Sequence, residues 1–202
     1  MRSVRLLSLV LLAYAVAPAT AAAQGNKAPK FSICHATGDG AYHLININGN
    51  AVPAHLAHGD QYPELVPLTL PAGTIFNSSA SADPDHLPAF AFDGDATTGW
   101  NAGVQPPPPQ WIQVTFPTPL KFNLMTGLVD QTPAGPTNHN VTFDGVSAFS
   151  WTGNTSLGDV LSQSFGAMQN VQRVRITTTA SPSWVAWFEI TLYDGTVACP
   201  GS

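Results

Sequence analysis

Apolar and polar residues alternate with a period of two in several short stretches of this chain. In Trp111-Ile112-Gln113-Val114-Thr115-Phe116, residues Ile112, Val114 and Phe116 share one face. Val174 and Ile176 do the same within Arg173 to Thr177, and Ala186, Phe188, Ile190 and Leu192 within Ala186 to Tyr193. This spacing predicts half-buried strands. Leu120 to Val129 and Asn140 to Phe143 alternate less regularly. Pro106 to Pro109 predicts a loop, because proline cannot donate to a central ladder. No long stretch has a helical period. Short strands between Gly- and Pro-bearing turns predict an all-β domain, a sandwich or a barrel.

The 202 residues allow one large domain, or one plus a small module. Charged residues are only 9%, and the formal net charge is −5. That balance excludes a nucleic-acid-binding protein, which needs a basic patch, and a highly charged disordered chain. The ends of the chain add compartment information. Arg2 and Arg5 precede the apolar run Leu6 to Val16, and Ala21-Ala22-Ala23 follows. This predicts a signal peptide over 1–23 and a secreted, extracellular protein, or a periplasmic one in a bacterium. A membrane-spanning helix needs about 20 apolar residues, so no transmembrane segment is expected. Without the two leader arginines the chain is more acidic still, which suits neutral ligands or cations better than anions. The predicted organisation is a tether over 24–30, a small module over 31–63, a β-sandwich over 64–195 and a tail over 196–202. The two cysteines, Cys34 and Cys199, are an even count in an oxidising compartment, which favours pairing.

The sequence Ala-Phe-Ala-Phe-Asp-Gly-Asp-Ala-Thr-Thr-Gly-Trp runs from Ala89 to Trp100. It is followed by Trp111-Ile112-Gln113-Val114, then by Val174-Arg175-Ile176 and by Ser183 to Ile190. This ordered set resembles the coagulation-factor V/VIII type C, or discoidin, family, which includes carbohydrate-binding modules of family 32. The resemblance covers about Leu65 to Asp194. It implies a jelly-roll, galactose-binding-like β-sandwich that binds without catalysing and presents loops at one end to sugars, phospholipid heads or cell-surface proteins.

The residues themselves point to a cation in the first of these stretches. Asp93, Asp95 and Thr98 surround Gly94, and two carboxylates and a hydroxyl on one turn suit a hard ion such as Ca²⁺. The alternative is an Asx-rich turn with an exposed Glu189. The family pattern implies calcium there, held by the side chains of Asp93, Asp95, Thr98 and Glu189 and by the carbonyls of Phe90 and Phe188. Trp111 and Trp187 are expected in the core, and Trp100 matches a structural position of the family. Trp151 and Trp184 lie in turn-like sequence. An exposed ring can stack on a sugar while amides bond its hydroxyls, so Trp151, Trp184, Asn138, His139 and Asn140 are the candidate ligand residues. Ordinary loop packing is the competing reading. Galactose-type modules often use an arginine. Beyond the leader the arginines are Arg173 and Arg175, both on a predicted strand, which argues against galactose.

A second informative stretch runs from Cys34-His35 to His43, and from Pro53-Ala54-His55-Leu56-Ala57-His58 to Gly59-Asp60. It resembles a short module of secreted bacterial proteins, but lacks the second cysteine often found just after its end. Pro53 can start a short helix and Gly59 can end it, so His55 and His58 share a face. Tyr42 to Ile47 reads as a strand that brings His43 near. Zinc is the expected ion for a set drawn from Cys34, His43, His55, His58 and Asp60. His35, adjacent to Cys34, is the weaker candidate. A His-rich surface turn is the alternative. A disulfide between Cys34 and Cys199 competes for Cys34, and discoidin domains bring their ends together.

The expected function is that of a secreted, non-catalytic protein binding carbohydrate or another cell-surface component. One alternative is an adhesion or matrix protein making protein contacts. The other is a zinc hydrolase centred on His43, His55 and His58, although no Glu stands where the H-E-x-x-H motif places its general base.

Overall fold

The computed structural model describes residues 29–103 and 109–201. The leader, most of the tether and Pro106 to Pro108 lie outside the described residues. Strands β1 (Lys30–Ala36) and β2 (Tyr42–Asn48) pair as an antiparallel hairpin, with Ile33 opposite Ile45 and His35 opposite His43. Helix α1 (Val52–Ala57) carries proline in its first turn and stops before Gly59, whose φ is 95°. The hairpin therefore begins at Lys30, inside the segment expected as tether.

The larger unit comprises β3 (Glu64–Leu65), β4 (Ile75–Ser78), β5 (Trp100–Asn101), β6 (Gln110–Val129), β7 (Gly135–Phe143), β8 (Val146–Thr155), β9 (Val160–Ala180), β10 (Ala186–Tyr193) and β11 (Val197–Ala198). Seven of these strands are hydrogen-bonded in the order β5-β10-β6-β9-β7-β8, with β4 also on β6. The two long strands pass through both layers of a sandwich. In one layer β4 borders β6 at Ile112 to Thr115, and β7 borders β9 at Val174 to Ala180. In the other, β10 borders β6 from Leu124 to Val129. Buried side chains of both layers meet in one core, among them Ile112, Val114, Phe116, Met125, Val141 and Trp187.

The change of layer has a local cause. Pro117 and Pro119 offer no N–H to the ladder, and between Thr115 and Leu120 the register of β6 on β9 shifts. A second shift, between Phe122 and Leu124, moves the buried face from Ile112, Val114, Phe116 and Phe122 to Met125, Gly127 and Val129. Gly127 lies beneath Trp187, where a Cβ would stand 2.7 Å from the indole ring.

The segment expected as a free tail is held at two points. β11 pairs with β3, and Cys199 is bonded to Cys34, with a Cα–Cα distance of 5.5 Å. Among the described residues, no helix is long and apolar enough to cross a membrane.

Candidate functional site

The turn Pro88–Phe92 delivers Asp93, and Gly94, at a φ of 84°, reverses the chain. Asp93 accepts hydrogen bonds from the Asp95 N–H at 2.9 Å and the Thr98 hydroxyl at 2.9 Å. The same hydroxyl lies 3.0 Å from the Asp95 carbonyl and 3.5 Å from the Phe90 carbonyl. One hydroxyl proton thus faces three acceptors. Across the loop, Glu189 of β10 accepts from the Gly94 N–H at 3.0 Å. Burial pushes the Glu189 carboxyl up to about 7, and the charges of Asp93 and Asp95 add to the rise against the opposing Gly94 hydrogen bond. An oxygen-rich turn short of donors and of positive charge has the donor set of a hard cation. Phe188 is held beside this loop, its Cα 3.0 Å from where a Gly99 Cβ would be.

Four loops meet at one end of the sandwich. Ala82 donates to the Asn101 carbonyl, and Ala102 to the Val185 carbonyl. Gly135 abuts Pro182. His86 pairs with Asp83 at 2.8 Å and acts electrostatically on Asp130, whose carboxyl partial burial raises. Trp184 is 36% exposed on the loop after β9. The sequence pattern singled out Trp184 but missed Asp130 and His86.

The other candidate ligand residues fall elsewhere. Trp151 is 8% exposed and packs on Phe149 and Trp187. His139 is 3% exposed, accepts or donates at Nδ1 to the Thr178 hydroxyl, and stands edge-on to Trp187. Both are core residues rather than exposed ligand contacts, because they occupy the inward face of their strands. Asn138 and Asn140 are half-buried on β7, and Asn140 accepts from the Ser150 hydroxyl. Trp111, expected in the core, lies on the outer face of β6 with Arg175 stacked 4.0 Å from its ring centre.

Burial lowers the His139 pKa to about 4. Its Nε2 has no partner among the described residues, so protonation would place a charged donor in the core. Between pH 6.5 and 4 the unfolded chain takes up a proton that the fold refuses, so stability falls as pH falls through that window. The expected loss is about 3 kcal/mol. Urea midpoints measured from pH 7 to pH 4 check it, and His139→Leu should flatten the slope.

In the N-terminal unit the structure gathers a different histidine set from the one expected. The disulfide removes Cys34 as a ligand. His35, Asp60 and His55 form the group whose ligand atoms lie within 4.8 Å of one another and could hold a metal ion. His43 is exposed and acts on Asp39 at the hairpin turn, and it is not in this group. His58 caps α1, its ring 5.7 Å from that of His55. The trio His43, His55 and His58 proposed for hydrolysis is therefore not assembled.

Residues 75–194, more than half of the chain, match the model of the F5/8 type C domain. None of the curated proteins matches. Among solved structures, the family 32 carbohydrate-binding module of NanJ from C. perfringens, in complex with galactose, is 15% identical with a TM-score of 0.50, over 59% of this chain and 93% of that one. A family 32 module from a family 31 glycoside hydrolase of Clostridium perfringens is 17% identical with a TM-score of 0.50, over 61% and 96%. SpGH29 is 22% identical with a TM-score of 0.52, over 66% of this chain but only 29% of its own. At these identities the likeness is one of fold.

Proposed function

This chain belongs to the F5/8 type C, or discoidin, domain family, and from that premise we propose that it is a secreted, non-catalytic binding protein whose sandwich holds carbohydrate at one end. The observation that carries this reading is the meeting of four loops at one end of the sandwich, one bearing the exposed Trp184 and others the polar groups of Asp83, His86 and Asp130. A flat apolar ring flanked by hydrogen-bonding groups suits the face and the hydroxyls of a sugar. The acidic, weakly charged chain favours a neutral one. The similar NanJ module holds galactose. Arg175 here is engaged on Trp111 and Gln113 in the sheet, so an arginine-based galactose contact has no counterpart among these loops. Arg2, Arg5 and the apolar run after them support export.

The oxygen-rich turn at Asp93, Asp95, Thr98 and Glu189 is read as a structural calcium site tying an early loop to β10. Calcium would offset two of the three carboxylate charges there, and the chain's own contribution is to hold the oxygens in place through Gly94 and Thr98.

Trp184→Ala is expected to weaken sugar binding at least tenfold while leaving the melting temperature within about 2 °C, since the ring is largely outside the core. Isothermal titration of both proteins with a panel of neutral mono- and disaccharides checks this. Equal affinity of the two proteins for a bound sugar would move the site away from these loops.

A further inference from the structure

The N-terminal unit carries a polar cluster that the sandwich-end reading leaves unused. Asp60 follows Gly59, and its side chain is 1% exposed. It accepts from the Nδ1 of His55 at 2.6 Å, from the Nδ1 of His35 at 2.9 Å and from the Ala36 N–H at 2.9 Å. Burial acts to raise this carboxyl, but the hydrogen bonds of His35, Ala36 and His55 outweigh it and hold it well below the usual range. Its ion-pair partners among the described residues are these two histidines, with no lysine or arginine.

We propose that His35, His55 and Asp60 form a mononuclear site for a divalent transition-metal ion, zinc in the first place, which fastens α1 to the β1–β2 hairpin. Two imidazole nitrogens and a carboxylate oxygen are the donor types that zinc takes, and three protein ligands leave a fourth position for water or another side chain. Ligands at about 2.0–2.2 Å around a tetrahedral ion stand roughly 3.3 Å apart. The observed contacts of 2.6 and 2.9 Å need to open by about 0.7 and 0.4 Å to reach that spacing. Coordination through Nδ1 leaves the ring proton on Nε2.

Two features hold this set in place before an ion arrives. Cys34, next to His35, is fixed by the disulfide. Cys34 also exchanges backbone hydrogen bonds of 2.8 and 3.0 Å with Gln61, next to Asp60. Successive strand residues point to opposite faces, so Cys34 reaches the disulfide while His35 faces Asp60. The unit also needs such a fastening. Its buried apolar residues are Ile33, Cys34 and Val52, and a segment of this size cannot close a core alone.

The test is zinc titration of the chelator-stripped full-length protein against a competing chromophoric chelator at pH 7, with 1 mM calcium present. The expected result is one zinc per chain. His55→Ala and Asp60→Asn should weaken it at least a hundredfold, and His43→Ala less than threefold. Sugar binding of His55→Ala should match wild type, which separates this site from the sandwich-end reading. If Asp60→Asn misfolds, His35→Ala and His55→Ala decide. No zinc uptake at 100 μM, displacement of zinc by calcium, or loss of binding in His43→Ala with retention in His55→Ala would overturn the proposal.

Discussion

Calcium added to the chelator-stripped protein is expected to raise its melting temperature by about 5–10 °C at a hundredfold excess over Kd. A ligand of the folded state at that excess contributes about 2.7 kcal/mol, and each kcal/mol moves the midpoint of a domain this size by about 2–4 °C. The effect should depend on pH in a definite direction. Glu189 sits at about 7 in the ion-free fold, against an ordinary 4.5. Between those values the unfolded chain has released a proton that the fold retains, so the ion-free protein loses stability as pH rises from 4.5 to 7. The side chain is partly exposed, which discounts the loss to about 1–2 kcal/mol. Bound calcium favours the ionised carboxyl, so its stabilisation should be larger at pH 8 than at pH 5. Asp93→Asn should abolish the calcium response and lower the Glu189 pKa, because it removes a donor and a neighbouring negative charge together. Identical melting curves with and without chelator at pH 8 would contradict the site.

Breaking the Cys34–Cys199 bond is expected to destabilise the chain by about 3 kcal/mol. The bond closes a sequence separation of 165 residues. Chain entropy alone would give about 5 kcal/mol for a loop of that length, and measured disulfides commonly deliver 2–4. The damage should be uneven. The bond ties the N-terminal unit to β11, and β11 contributes only a two-residue pairing with β3. The sandwich core is built from long ladders that do not involve it. Cys199→Ser should therefore speed amide exchange over residues 30–60 and 196–199 far more than in β6 or β9. Two titratable thiols in the exported, unreduced protein would contradict this account.

Much of the sandwich was legible in the sequence, because Ile112, Val114 and Phe116, Val174 and Ile176, and Ile190 and Leu192 alternate strictly and all are buried. The change of parity along β6 was not, since a bulge depends on the partner strand as well as on the prolines that start it. His139 and Trp151 were misread for a related reason. Thr152 and Gly153 beside Trp151 look like turn residues, and the amides of Asn138 and Asn140 flank His139, yet β7 and β8 are strands whose inward face is partly polar. Thr137 and Thr155 are buried there and satisfied by each other and by Gln131. The residues of the cation turn were legible as a set because they are close in sequence, Glu189 excepted. His35 was passed over because it adjoins Cys34. Adjacency on a strand separates two side chains rather than merging their roles, and only the hairpin register shows which face each takes. The loop end at Trp184, His86 and Asp130 joins residues about 100 positions apart, beyond the reach of local pattern.

Glycan binding at the loop end of this discoidin domain is tested most directly by a glycan array probed with the full-length, calcium-loaded protein. The expected result is binding to a restricted set of neutral glycans, and loss of that signal for Trp184→Ala. Absence of binding to any glycan, with the protein folded and calcium-loaded, would contradict the account and leave adhesion through protein contacts as the reading to pursue.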